Sequence, residues 1–153
     1  MTFDAVSLVF LTIISAATPL LFAALGELVV EKSGVLNLGV EGMMILGAVA
    51  AFAVAAGTGS GMLGVMAGAV AGAALAFVFG VLTLTLAANQ VATGLSLTIL
   101  GLGLSGMIGE SFIGLPGEKL QAWVVPGLSE IPFIGRMFFA QDPIFYFSIL
   151  LTV

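Results

Sequence analysis

Residues 42–109 read GMMILGAVAAFAVAAGTGSGMLGVMAGAVAGAALAFVFGVLTLTLAANQVATGLSLTILGLGLSGMIG, a run of 68 residues without a charged side chain. At about 1.5 Å of rise per residue, one helix of that length would be on the order of 100 Å long. The hydrocarbon core of a bilayer is about 30 Å thick, so the run holds about three crossings. Its punctuation shows where they separate. Gly57-Thr58-Gly59-Ser60-Gly61 reads as a tight turn and Asn89-Gln90 as a break. A second uncharged run, residues 5–26, has the length of one more crossing.

The rest of the composition agrees. Of 153 residues, 61% are hydrophobic and 7% charged, and the mean hydropathy is +1.31. A soluble domain is about 25% charged. The expected fold class is therefore all-α: a polytopic transmembrane helical bundle of about four spans plus the start of a fifth. The start Met1-Thr2-Phe3-Asp4 places an acid where a cleavable signal peptide has a basic region. With no His and no Cys, imidazole acid–base catalysis, thiol nucleophiles, disulfides and the common transition-metal sites are excluded for this stretch. Three basic residues in a chain of net charge -5 leave no nucleic-acid footprint. No phosphate-binding loop, nucleophile elbow or paired-carboxylate constellation is present, and nothing argues for an enzyme or a cofactor.

Working outward, the spans fall at residues 5–28, 34–56, 62–88 and 91–108. Pro19 in the first should kink it or start a half-helix. The third, at 27 residues, exceeds the core thickness and should tilt or protrude. Residues 110–143 differ, with six charged residues, four prolines and the single tryptophan, Trp123. This stretch reads as an extramembrane loop with short interfacial pieces, on which Trp123, Phe133, Phe138 and Phe139 suit the membrane interface. From Ile144 the chain turns apolar again, and the ten residues to Val153 make half a crossing. The whole is expected to be one transmembrane domain that continues beyond residue 153.

Small residues recur at four-residue spacing on the third span: Ser60, Gly64, Gly68, Gly72, Ala76 and Gly80. A shorter set, Gly101, Ser105 and Gly109, lies on the fourth. Such stripes let helices approach closely where no hydrophobic effect drives them together. General bundle packing and a homodimer face are both open readings.

The polar residues are few enough to name. Glu41 heads an apolar helix in Asn37-Leu38-Gly39-Val40-Glu41-Gly42, where the glycines permit an unwound backbone. A carboxylate at membrane depth should face a cavity or a partner, and the helix N-terminus favours it. Simple snorkelling to the interface is the other reading. Glu27, Glu31 and Lys32 read as a solvated turn. Asn89, Gln90 and Thr93 can bond across helices or line a path.

The stretch at 27–47, ELVVEKSGVLNLGVEGMMILG, resembles the permease subunits of bacterial ABC importers for simple sugars and nucleosides, which are related more distantly to ribose-type and branched-chain amino-acid permeases. The resemblance rests on Glu31-Lys32-Ser33-Gly34 followed by 37–44, on Asn89-Gln90-Val91-Ala92-Thr93-Gly94, and on Ile131-Pro132-Phe133-Ile134-Gly135 with Asp142-Pro143 and Tyr146. It runs in collinear order through nearly the whole chain. It implies a multi-pass protein of the bacterial inner (plasma) membrane. A second permease subunit would complete a channel for a small-molecule substrate, two cytoplasmic ATP-binding subunits would hydrolyse ATP, and an extracytoplasmic substrate-binding protein would deliver the cargo. It further implies a broken helix at 37–44 beside the translocation path, so Asn37, Gly39, Glu41, Gly42, Asn89, Gln90 and Thr93 are the candidate path residues. Family members are roughly twice as long, which marks the chain as an N-terminal fragment. A secondary transporter or channel that couples ions or protons through Glu41 is the alternative. The bias of basic residues puts Lys32 in the cytoplasm and the loop with Lys119 and Arg136 outside.

Overall fold

The structure is a computed structural model that describes residues 3–118, 120–124, 127, 129 and 138–152. Helix α1 (Phe3–Lys32) is followed by α2 (Val40–Thr58) and α3 (Gly61–Gly80). A π-helical turn, Val81–Thr85, extends α3 before α4 (Gln90–Gly109) and a 3₁₀ turn, Glu110–Phe112. Strands β1 (Trp123–Val124) and β2 (Ala140–Gln141) precede α5 (Pro143–Thr152). Four of these helical segments are long and apolar enough to cross a membrane: Val6–Lys32, Val40–Thr58, Gly61–Thr85 and Gln90–Phe112. Their outer faces are apolar, with Phe77 72%, Ile99 71% and Met107 75% exposed. That is the surface a hydrocarbon solvent requires.

Two compact units divide the chain, Met1–Gly26 with Leu120–Val153, and Glu27–Lys119. In the first, α1 is assigned as one helix across Pro19, so no half-helix starts there. Thr12 and Thr18 return their hydroxyl protons to Leu8 and Ile14 carbonyls at 2.9 Å, which satisfies each hydroxyl inside its own helix. Phe22 stacks on Phe147 at 5.9 Å. Asp142 Oδ1 caps α5 by accepting from Phe145 N–H at 2.9 Å, with Pro143 as the first helical residue. Residues 110–143 contain an antiparallel ribbon, which the all-α expectation omitted: Trp123 pairs with Gln141 and Val124 with Ala140. Trp123 is 65% and Phe138 45% exposed. The expectations for Lys119, Pro126, Pro132, Phe133, Arg136 and the block 131–135 fall outside the described residues.

The second unit is built around α2. Its turn to α3 uses Gly59 at φ 66°, whose N–H bonds Ala55 O, and Ser60 Oγ accepts from Leu63 N–H to cap α3. The two helices meet through small residues. A methyl group on Gly64 would lie 2.7 Å from Ala51 O, and one on Gly68 would lie 2.8 Å from Gly47 O. Farther along the stripe, a methyl on Gly72 would lie 3.6 Å from Met43 O, Ala76 is exposed, and one on Gly80 would meet nothing within 4 Å. The contacting part of the third-span stripe therefore faces α2, and the facing set Gly47, Ala51 and Ala55 is also spaced by four. On its other side α2 packs on α4 through Gly42 and Gly101. Met43, Leu75, Phe79 and Leu97 form the buried apolar cluster, flanked by Val35 and Leu46.

Candidate functional site

The site begins where α1 ends. Gly34 adopts φ +83°, and Gly34 N–H bonds Glu31 O at 2.9 Å while Val35 N–H bonds Val30 O at 3.3 Å. This is the Schellman closure of a helix, with glycine at the left-handed position. The polar stretch from Glu27 to Lys32 is thus the last turns of α1, and the expected solvated turn is corrected accordingly. The helical part of the expected 34–56 element begins at Val40. Asn37 and Gly39 lie in the connection between α1 and α2, and Glu41 and Gly42 lie in the first turn of α2.

A backbone without helix partners must find other ones, and here side chains supply them. Leu36 N–H donates to Gln90 Oε1 at 2.8 Å, and Asn37 N–H to Glu27 Oε1 at 3.1 Å. Leu38 O accepts from Thr98 Oγ1 at 3.0 Å, and Gly39 N–H donates to Asn37 Oδ1 at 2.9 Å. Four successive residues are therefore held by α1, by α4 and by Asn37 itself. Close backbone approach completes the arrangement. A methyl on Gly94 would lie 2.8 Å from Leu38 N, and one on Gly39 would lie 3.2 Å from Gly94 O.

The candidate residues separate in this geometry. Asn37, Gly39, Gly42 and Thr93 are buried, and Gln90 clamps the connection. Asn89 Oδ1 caps α4 by accepting from Ala92 N–H at 3.0 Å. Glu41 is exposed. Its place in the first turn of α2 matches the sign of the helix dipole. Asn37 Nδ2 reaches Met43 Sδ at 3.6 Å, a weak acceptor. Three further residues belong to this centre and were not among the candidate path residues: Glu27, Gly94 and Thr98. Gly94, Thr98 and Gly101 stand at i, i+4 and i+7 on α4, a one-face spacing that was there to be read. Nothing in the spacing foretells that Glu27 reaches Asn37. The second carboxylate oxygen of Glu27 is buried and has no hydrogen-bond partner among the described residues.

Between two helices that are each long and apolar enough to cross a membrane the chain thus has a non-helical connection whose backbone groups are held by side chains. The chain belongs to the family described as branched-chain amino acid transport system / permease component, whose model matches residues 9–153. It is 44% identical over 142 residues to a putative glucose ABC transporter permease protein of Haloferax volcanii, an alignment covering 90% of this chain and 43% of that protein. It is 32% identical over 146 residues to the guanosine ABC transporter permease protein of Bacillus subtilis, covering 88% of this chain and 45% of that one. A nucleoside ABC transporter permease protein of Lactococcus lactis subsp. cremoris is 33% identical over 137 residues, covering 82% and 43%. The chain spans less than half the length of these curated relatives. No solved structure matches it.

Proposed function

We propose that this chain forms part of the membrane subunit of an ATP-driven importer, and that its second unit contributes to the translocation path of a simple sugar or a nucleoside. The observation that carries the reading is the connection at 36–39, held by Glu27, Gln90 and Thr98. Three polar side chains hold the backbone between two apolar helices, the kind of break that builds a polar site between apolar walls. The glucose and nucleoside permeases aligned above support the cargo class. Asn37, Gly39, Gly42, Gln90 and Thr93 are the path residues in this reading, and Asn89 sets the start of α4 beside them. Glu41 is exposed in the first turn of α2, next to the connection.

The ATP is hydrolysed by separate cytoplasmic subunits, a second permease subunit completes the channel, and an extracytoplasmic binding protein delivers the solute. The test is uptake of labelled glucose and guanosine by the full-length protein with its partners. A hydrolysis-dead ATPase subunit is expected to abolish uptake. Uptake that survives this change but collapses with the proton gradient would overturn the reading in favour of a secondary transporter.

A further inference from the structure

Beside Asn37 lies a cavity of about 180 Å³, room for about six water molecules at ~30 Å³ each. Six of its lining residues carry the argument: Ser33 beyond the end of α1, Asn37 in the connection, Ala76, Phe79 and Gly80 on α3, and Thr83 in the π turn. Asn37, Phe79 and Thr83 are 6%, 4% and 7% exposed, so two polar side chains and an aromatic ring are held inside the protein. Thr83 donates its hydroxyl proton to Phe79 O at 2.8 Å, and Ser33 donates its own to Val30 O at 2.6 Å. Both oxygens keep lone pairs to accept with. Asn37 Nδ2 carries two N–H groups, and its contact to Met43 sulfur at 3.6 Å occupies one of them weakly.

The cavity thus offers amide donor capacity and two hydroxyl acceptors on an otherwise apolar wall. No charged side chain is among the described residues that line it. A zwitterion placed there would leave an ammonium and a carboxylate partly desolvated and without a charged partner, which is unfavourable. A neutral ring bearing hydroxyl groups meets the opposite situation. Its O–H groups donate to Ser33 and Thr83, its oxygens accept from Asn37, and its apolar face lies against Phe79. The volume is below the ~300 Å³ at which sites for drug-sized ligands begin, so it suits one ring. We propose that this cavity binds a single neutral, hydroxylated ring of the solute and rejects amino acids, although the family is described by amino-acid transport. The proposal deepens the importer reading and rests on it.

The test uses the full-length subunit with its partners in membrane vesicles, in a cysteine-free background carrying Gly80→Cys. A Cβ at position 80 meets nothing within 4 Å, so the new thiol has space. Its reaction with a small neutral thiol reagent is followed with D-glucose, guanosine (through its ribose) or L-leucine present. The thiol is expected to react, D-glucose or guanosine to slow the reaction, and L-leucine to leave it unchanged. Adding Thr83→Val is expected to raise the half-protecting concentration about fivefold, and Thr83→Ser to restore it. A thiol that stays inert without solute means that another helix fills the cavity, and overturns the proposal. So does protection by L-leucine, or by none of the three. ATP-dependent uptake is measured in the same vesicles. If it persists while no solute protects the thiol, the cavity assignment fails and the importer reading stands; if uptake is independent of ATP, the importer reading itself fails.

Discussion

Gly42 of α2 and Gly101 of α4 meet backbone to backbone. A methyl group built on Gly42 would lie 2.6 Å from Leu97 O and from Thr98 Cα, and one built on Gly101 would overlap Gly42 O. No side chain lies between these helices at this point, so neither residue can give way by changing a rotamer. The contact also sets the depth at which Thr98 meets Leu38 O, one of the bonds that holds the connection.

Gly42→Ala and Gly101→Ala are expected to destabilise the second unit by about 1–3 kcal/mol each, the usual cost of forcing atoms into a packed interface. Gly103→Ala and Gly106→Ala, where an added methyl meets nothing within 4 Å, are expected to be tolerated. Thermal unfolding of the detergent-purified full-length protein checks both pairs. Equal midpoints for all four variants would sink the interface.

Glu27 Oε1 accepts from Asn37 N–H, and an amide oxygen can do the same. Glu27→Gln is therefore expected to cost less than about 1 kcal/mol, while Glu27→Ala leaves a buried donor unpaired at a cost of about 1–3 kcal/mol. Unfolding midpoints and hydrogen exchange at Asn37 would read the difference. If alanine and glutamine behave alike, the clamp has no energetic role.

Ala87 follows the π turn at φ 51°, a left-handed conformation that disfavours a side chain. Nearby, Ala88 N–H bonds Leu82 O at 2.9 Å and closes the segment. Ala87→Gly is expected to stabilise the protein by roughly 0.5–1 kcal/mol, and Ala87→Val to destabilise it by about 1 kcal/mol or more. A lower unfolding midpoint for the glycine variant would contradict the backbone strain.

If the four long apolar helices each cross the membrane, residues 33 and 129 are expected on opposite sides of it. Single cysteines at Ser33 and Ser129, in a cysteine-free full-length protein, are expected to differ in reaction with an impermeant thiol reagent applied to intact cells. Ser129→Cys should be modified and Ser33→Cys protected. Equal modification would rule out the four-span arrangement.

The sequence by itself determined the solvent and the spans. A stretch of 68 residues without charge cannot stay inside a hydrocarbon core about 30 Å thick without turns, and Gly59, Ser60 and Asn89 mark turns by local chemistry that requires no distant partner. The third-span stripe was legible for the same reason, because helical period alone puts its residues on one face. The family, too, was legible in the linear order of the polar residues at 27–47 and 89–94. Tertiary structure decided where those residues go. It drew Glu27 from an expected solvated turn to the backbone of Asn37, left Glu41 exposed, assigned the contacting half of the stripe to α2, and set Thr83 beside Asn37 across a cavity. Each of these depends on contacts between residues far apart in the chain or on different helices. In an apolar solvent the energy comes from dispersion and from satisfying backbone groups, and which helix supplies the partner is a property of the packed bundle.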